Sequence, residues 1–189
     1  MGRLILVLGG ARSGKSTFAQ RRAGELGGEQ VLFVATAGAG DEEMRQRIEK
    51  HRRERPAGWQ TLEAPQDVGR AIAAHGGTAK AVLVDCLTLL VANRLGGAEE
   101  DQDPFAPEIE AGVAAEVQEL AACAERLAGV LIVVSNEVGM GLVPPYPLGR
   151  AYRDLLGQAN QALAQKADEV YLLVAGIPLV IKGIKGGGA

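Results

Sequence analysis

An apolar run, Leu4-Ile5-Leu6-Val7-Leu8, breaks off at Gly9-Gly10, and a helical stretch from Lys15 to about Leu26 follows directly. A strand without polar alternation is one buried on both faces, the condition of a parallel sheet covered by helices. Gly9-Gly10-Ala11-Arg12-Ser13-Gly14-Lys15-Ser16 joins the two and fits GxxxxGK[ST], in the strand-to-helix setting that gives this pattern its meaning. The glycines let backbone N–H groups wrap a phosphate, and the helix N-terminus adds partial positive charge. Lys15 supplies a point charge for the outer phosphates, and Ser16 a hydroxyl for Mg²⁺.

The rest of the chain repeats the strand-then-helix order. Val31–Ala35, a short extended piece from Trp59 to Glu63, Ala81–Asp85 and Val130–Val134 read as strands. Helices are expected at 41–55, with Asp41 as N-cap and Pro56 beyond the end, at 66–74, from about Leu87, from Pro107 to Leu127, and from Leu148 to Lys166. Gly96 to Pro107 reads as an exposed loop, and Ser135 to Gly141 as a turn-rich loop leading to Pro144, Pro145 and Pro147. Two closing strands, 169–174 and 178–182, have room between them only for a hairpin. The expected architecture is a three-layer α/β fold, mainly parallel, with an antiparallel C-terminal edge. All 182 residues up to Lys182 are expected to form one domain, with a disordered glycine-rich tail from 183 to 189.

Twenty basic residues against twenty-three acidic ones give a net charge of −3, the wrong sign for a protein that coats nucleic acid. Leu4–Leu8 is too short for a membrane span or a secretory segment, so the chain reads as cytoplasmic. Cys86 and Cys123 have neither CxxC spacing nor a histidine cluster and read as buried free thiols. Asp85 closes a strand where a carboxylate would hold a phosphate-bound metal, and an N-cap role there is compatible with that.

A GTP switch would need a base-reading NKxD segment, whereas the corresponding place holds Asn136-Glu137-Val138-Gly139; the DxxG at Asp154–Gly157 falls inside a helix. A simple small-molecule kinase, with the arginines of 45–55 as a lid, remains the alternative. At helical spacing Met44, Arg47, Ile48, His51 and Arg55 share a face, with Arg52 and Arg53 close by. A neutral imidazole among cations is a competent nucleophile toward an α-phosphorus, and the cations depress its pKa. An incidental histidine on a solvated face is the competing reading, and the only one for His75.

Gly9–Ser16, Ala35-Thr36-Ala37, Arg47-Ile-Glu-Lys-His-Arg-Arg-Glu-Arg-Pro56 with Trp59, and Asn136-Glu-Val-Gly-Met-Gly-Leu-Val-Pro144 together resemble the bifunctional adenosylcobinamide kinase/adenosylcobinamide-phosphate guanylyltransferase family. The resemblance runs from Leu4 to Lys182. It implies a P-loop NTPase-like fold, a kinase step on adenosylcobinamide using ATP or GTP, and a guanylyl-histidine intermediate formed from GTP. It places His51 as the nucleophile and Lys15 in the catalytic cradle. Nucleotide contacts fall on Gly9, Gly10, Ala11, Arg12, Ser13, Gly14, Lys15, Ser16, Ala35, Thr36, Ala37, Arg52, Arg53, Glu54, Arg55, Glu63 and Asp85, and Mg²⁺ on Ser16 and Asp85. Lys50 stands where some relatives carry a second histidine, which leaves His51 as the less ambiguous nucleophile. The implied partners are the corrinoid substrate and two further copies of the chain, in a homotrimer.

Overall fold

A computed structural model describes residues 2–37, 56–96 and 103–183. The expected helix at 41–55, with His51, Arg52, Arg53, Glu54 and Arg55, and the tail from 184 lie outside the described residues.

The elements follow in the order β1 (Arg3–Gly9), α1 (Lys15–Gly27), β2 (Val31–Ala35), β3 (Gln60–Glu63), α2 (Val68–His75), β4 (Ala81–Asp85), α3 (Leu87–Gly96), α4 (Pro107–Arg126), β5 (Val130–Asn136), α5 (Pro147–Lys166), β6 (Glu169–Val174) and β7 (Ile177–Lys182). The seven strands form one sheet in the order β3-β2-β4-β5-β1-β6-β7. All pairings are parallel except β6 with β7. The expected architecture is therefore the one observed.

The uniformly apolar strands are buried on both sides because each face has its own helices. Alternate residues Ile5, Val7, Phe33, Leu83, Ile132 and Val134 meet Phe18, Ala19 and Ala23 of α1. Their neighbours Leu4, Leu6, Val34, Val84, Leu131 and Val133 pack on the other face against α2, α3, α4 and α5. This is the period-two division of a strand between two cores. Cys123 is a buried free thiol as expected, whereas Cys86, also free, is only half-buried at the sheet's edge.

Several boundaries differ from the sequence expectation by a residue or two, and three of the differences have a clear physical cause. β5 runs on through Ser135 and Asn136, which pair with Leu8 and Gly9 because β1 itself continues to Gly9. α2 starts at Val68 rather than 66, since Asp67 has φ 51° and its cap comes from elsewhere. The backbone N–H groups of Asp67 and Val68 donate to the buried Glu116 carboxylate of α4, at 3.1 and 2.7 Å. The β6–β7 turn is the two-residue Ala175-Gly176, with φ of 51° and 83°. Paired positive φ values belong to the hairpin turn whose twist matches that of the strands it joins.

Candidate active site

Six strands pointing the same way bring their carboxyl ends to one edge. Read across the sheet in strand order, these ends are Glu63, Ala35, Asp85, Asn136, Gly9 and Val174. Ligands of open α/β sheets bind at such an edge, and every described residue singled out from the sequence as a site candidate lies on it.

The Gly9–Ser16 turn stands over β1. Arg12 at φ 56° and Gly14 at φ 89° turn the backbone into the left-handed region, and Ser13 N donates to Gly10 O at 3.3 Å. Gly14 then caps α1 by accepting from Phe18 N at 3.0 Å. Such a turn aims consecutive N–H groups inward and forms an anion cradle at a helix N-terminus. Two close approaches fix it. A Cβ on Gly9 would lie 2.4 Å from Ser13 Oγ and 2.9 Å from Leu173 O. At the other end the hairpin turn rests on the cradle: Gly176 N donates to Ser13 O at 2.9 Å, and a Cβ on Gly14 would come within 3.2 Å of Gly176 Cα. Ser13 Oγ is buried with no hydrogen-bond partner among the described residues.

Lys15 folds back so that Nζ donates to Gly10 O at 3.1 Å. Burial pulls its pKa below the ordinary lysine value, while Cys86 and Asp85 act in the opposite direction. Asp85 ends β4, two strands away from β1 on the same edge of the sheet. The peptide bond between Asp85 and Cys86 is cis. Beyond it Thr36 holds the turn: its hydroxyl donates to Cys86 O and accepts from Cys86 N, both at 2.7 Å. Asn93 Nδ2 donates to Thr36 O at 2.8 Å and also to Pro65 O at 2.8 Å. Thr36 is fully buried, so its contribution at this edge is to orient Asp85 and its neighbours. The Cys86 thiol is pushed up to about 11, first by burial and then by Asp85, and is a neutral group at pH 7.

Ala35 is buried and Ala37 half-buried at the end of β2. Glu63 is exposed and pairs with Ala35 on the outermost strand. With neighbouring strands roughly 4.8 Å apart, Glu63 stands about 19 Å across the sheet from Gly9. The structure thus puts Lys15 and Ser16, at the start of α1, and Asp85, at the end of β4, on the same edge and leaves Glu63 at its far end.

Between Asp85 and the cradle lies Asn136, whose part in holding the edge was not legible in the sequence. Its N–H donates to Thr88 Oγ1 at 2.8 Å, and its carbonyl accepts from Asn160 Nδ2 at 3.0 Å. The next N–H, of Glu137, donates to Gly9 O at 3.1 Å. Thr88 belongs to the first turn of α3 and Asn160 to α5, so three elements clamp this point. Tyr152 OH donates to Thr88 O at 3.4 Å, and burial followed by Cys86 pushes that phenol up to about 12. His75 has the bland role expected: it is exposed, with Nδ1 2.9 Å from Ala71 O.

The fold has solved counterparts. The ATPase domain of G40P superposes with a TM-score of 0.57 at 16% identity, covering 98% of this chain and 78% of that one. The flagellar accessory protein FlaH from Methanocaldococcus jannaschii superposes with a TM-score of 0.53 at 16% identity, covering 96% of this chain and 79% of that one. These likenesses concern the fold alone. In sequence the chain is 43% identical over 182 residues to the bifunctional adenosylcobalamin biosynthesis protein CobU of Escherichia coli K12, covering 95% of this chain and 99% of that protein. It is 43% identical over 178 residues to the bifunctional adenosylcobalamin biosynthesis protein CobP of Pseudomonas aeruginosa PAO1, covering 94% and 96%. Residues 5–181 match the family model described as cobinamide kinase / cobinamide phosphate guanyltransferase, and the chain belongs to that family.

Proposed function

We propose that the carboxyl edge of the sheet serves both reactions of this bifunctional transferase of cobalamin biosynthesis. In the first, a nucleoside triphosphate, ATP or GTP, phosphorylates the aminopropanol hydroxyl of adenosylcobinamide. In the second, an imidazole nitrogen of His51 attacks the α-phosphorus of GTP, pyrophosphate leaves, and the GMP passes to adenosylcobinamide phosphate to give adenosylcobinamide-GDP. The reading is carried by one observation: the Gly9–Ser16 turn, with Lys15 folded back onto Gly10 O, stands on the same edge of the sheet as Asp85 at the end of β4.

The described residues supply the parts that phosphoryl transfer needs, which are alignment and charge stabilisation. The N–H groups of Gly9–Ser16 would bind the β- and γ-phosphates, and the Lys15 ammonium would leave Gly10 O for the transferring group. Ser16 and Asp85 offer the hard oxygen donors that suit Mg²⁺. No group of three or more His, Cys, Asp or Glu able to hold a metal occurs among the described residues. A magnesium ion carried by phosphates needs only one or two protein oxygens, so the donor set fits. When bound, the ion neutralises phosphate charge. Ala35, Ala37, Glu63 and Arg52–Arg55 belong to the proposed nucleotide contacts as well, while Thr36, buried and bonded to Cys86, would support them from behind. Glu63, four strands from the cradle, can join them only for a ligand extending across β4 and β2. Ala37, the last described residue before the segment that carries His51, lies on this edge. Nucleophilic attack requires the His51 imidazole in its neutral form.

The enzyme is proposed to act as a homotrimer in the cytoplasm, with the corrinoid as its partner molecule. No helix among the described residues is long and apolar enough to cross a membrane. The test is conversion of adenosylcobinamide by wild type and Lys15→Ala, with products separated chromatographically. Wild type should form first the phosphate and then, with GTP, the GDP derivative. Lys15→Ala should lose about 10²–10³-fold in kcat at both steps, the cost of removing one positioned charge-stabilising donor. A wild type that stops at the phosphate with GTP present would leave a simple kinase instead.

A further inference from the structure

Beyond Glu137 the chain exposes Met140 (82%), Leu142 (98%), Val143 (63%), Tyr146 (60%) and Leu148 (53%). Apolar residues exposed singly are ordinary, whereas a run of this kind marks a surface that something apolar covers. The run is braced. Arg153 Nη2 donates to Gly139 O at 2.7 Å, and Arg150 Nη1 to Pro144 O and Pro145 O at 3.3 and 2.8 Å. Gly139 N donates to Glu137 Oε1 at 2.7 Å, and Gly141 N to Val138 O at 3.4 Å. Pro144, Pro145 and Pro147 restrict the backbone further. The side chains are held out on a preformed platform, and ordering it on binding costs little.

The platform is continuous with the phosphate cradle. Glu137 N is bonded to Gly9 O at 3.1 Å. From there an extended chain reaches Met140 within about 11 Å and Leu142 within about 18 Å, at some 3.6 Å per residue. The phosphoryl acceptor proposed above is a hydroxyl on a short flexible arm of a broad macrocycle. For the hydroxyl to reach the γ-phosphate the ring must lie within an arm's length of it, and the braced platform is an outer apolar surface that close along the chain to the cradle. Resting on that functional reading, we propose that the apolar platform formed by Met140, Leu142, Val143, Tyr146 and Leu148 is the docking surface for the corrin ring, and that it thereby sets acceptor specificity.

Of the exposed apolar residues of β7, Ile177 follows directly on the turn that rests on the cradle, whereas Leu179, Val180 and Ile181 lie progressively farther from the carboxyl edge, because β7 runs antiparallel to β6.

The double variant Met140→Ser/Leu142→Ser tests the assignment, since both side chains are exposed and their loss leaves the core intact. Its KM for adenosylcobinamide should rise tenfold or more while the KM for the nucleotide stays unchanged, and Leu142→Met alone should keep the wild-type corrinoid KM. Wild-type corrinoid KM in an active double variant would overturn the proposal. So would a change in subunit assembly by sedimentation accompanying the double substitution, because another copy of the chain would then be the occupant. A wild type that fails to phosphorylate adenosylcobinamide would overturn the functional reading itself, which the same assay reports separately.

Discussion

Gly10 and Gly14 stand in the same motif, yet alanine should have opposite consequences at the two. At Gly14 the backbone sits at φ 89°, and a Cβ would lie 3.2 Å from Gly176 Cα and 3.8 Å from Gly176 N. An L-residue in the left-handed region costs about 1–2 kcal/mol. The contact would also push the hairpin turn off the cradle and endanger the Gly176 N to Ser13 O hydrogen bond, worth roughly 0.5–1.5 kcal/mol net. Together these give a loss of about 1.5–3.5 kcal/mol. In a domain of this size each kcal/mol moves Tm by roughly 2–4 °C, so Gly14→Ala should melt between about 3 and 14 °C lower. At Gly10 nothing lies within 4 Å of the added methyl, and the residue has no positive φ. Gly10→Ala should therefore leave the Tm of the ligand-free protein within about 1 °C, the small change usual for a surface substitution. Calorimetry or circular dichroism melts of both variants, free of nucleotide, decide it. A Gly10→Ala melt as low as that of Gly14→Ala, or a Gly14→Ala melt at wild-type temperature, would refute the view that the hairpin turn sets the conformation of the cradle.

Two further predictions concern the scaffold. Glu116→Ala should lower stability by about 3–5 kcal/mol in urea denaturation, because Glu116 is nearly fully buried and accepts from Asp67 N and Val68 N while pairing with Arg94. Glu116→Gln, which keeps an acceptor, should lose less. Tyr152 has a pKa raised from 10.0 to about 12, principally by burial, so the folded state holds its proton after the unfolded state has released it. Stability from this group is complete below pH 10 and falls as pH rises toward about 12. The alkaline limb of a Tm-against-pH profile should accordingly be shallower in Tyr152→Phe, and an unaltered limb would contradict the assignment.

The sequence was informative wherever local chemistry decides the outcome. The apolar runs 4–8, 31–35 and 81–84 become strands because nothing polar in them demands water, and Asp85 closes β4 where the run ends. The cradle was legible because glycines, lysine and serine at fixed spacing leave the backbone few alternatives. What could not be read depends on contacts far apart in the chain. The start of α2 is set by Glu116, nearly fifty residues away, whose carboxylate accepts the first N–H groups that a local cap would otherwise serve. The extension of β5 to Asn136 depends on β1, and the docking of Ala175-Gly176 on Ser13 depends on the final strand order. Thr36 is the instructive intermediate. It lies on the carboxyl edge, but its hydroxyl is engaged with the Cys86 backbone, a partner that only the β2–β4 pairing could bring to it.

The central claim is that the protein itself becomes the guanylyl donor through His51. Purified wild type and His51→Ala should be incubated with GTP and Mg²⁺ and their intact masses recorded. The account predicts one guanylyl group on the wild type, released by acid, none on His51→Ala, and a kinase step that survives in the variant. No adduct on a wild type that demonstrably binds GTP, or the same adduct on His51→Ala, would contradict it.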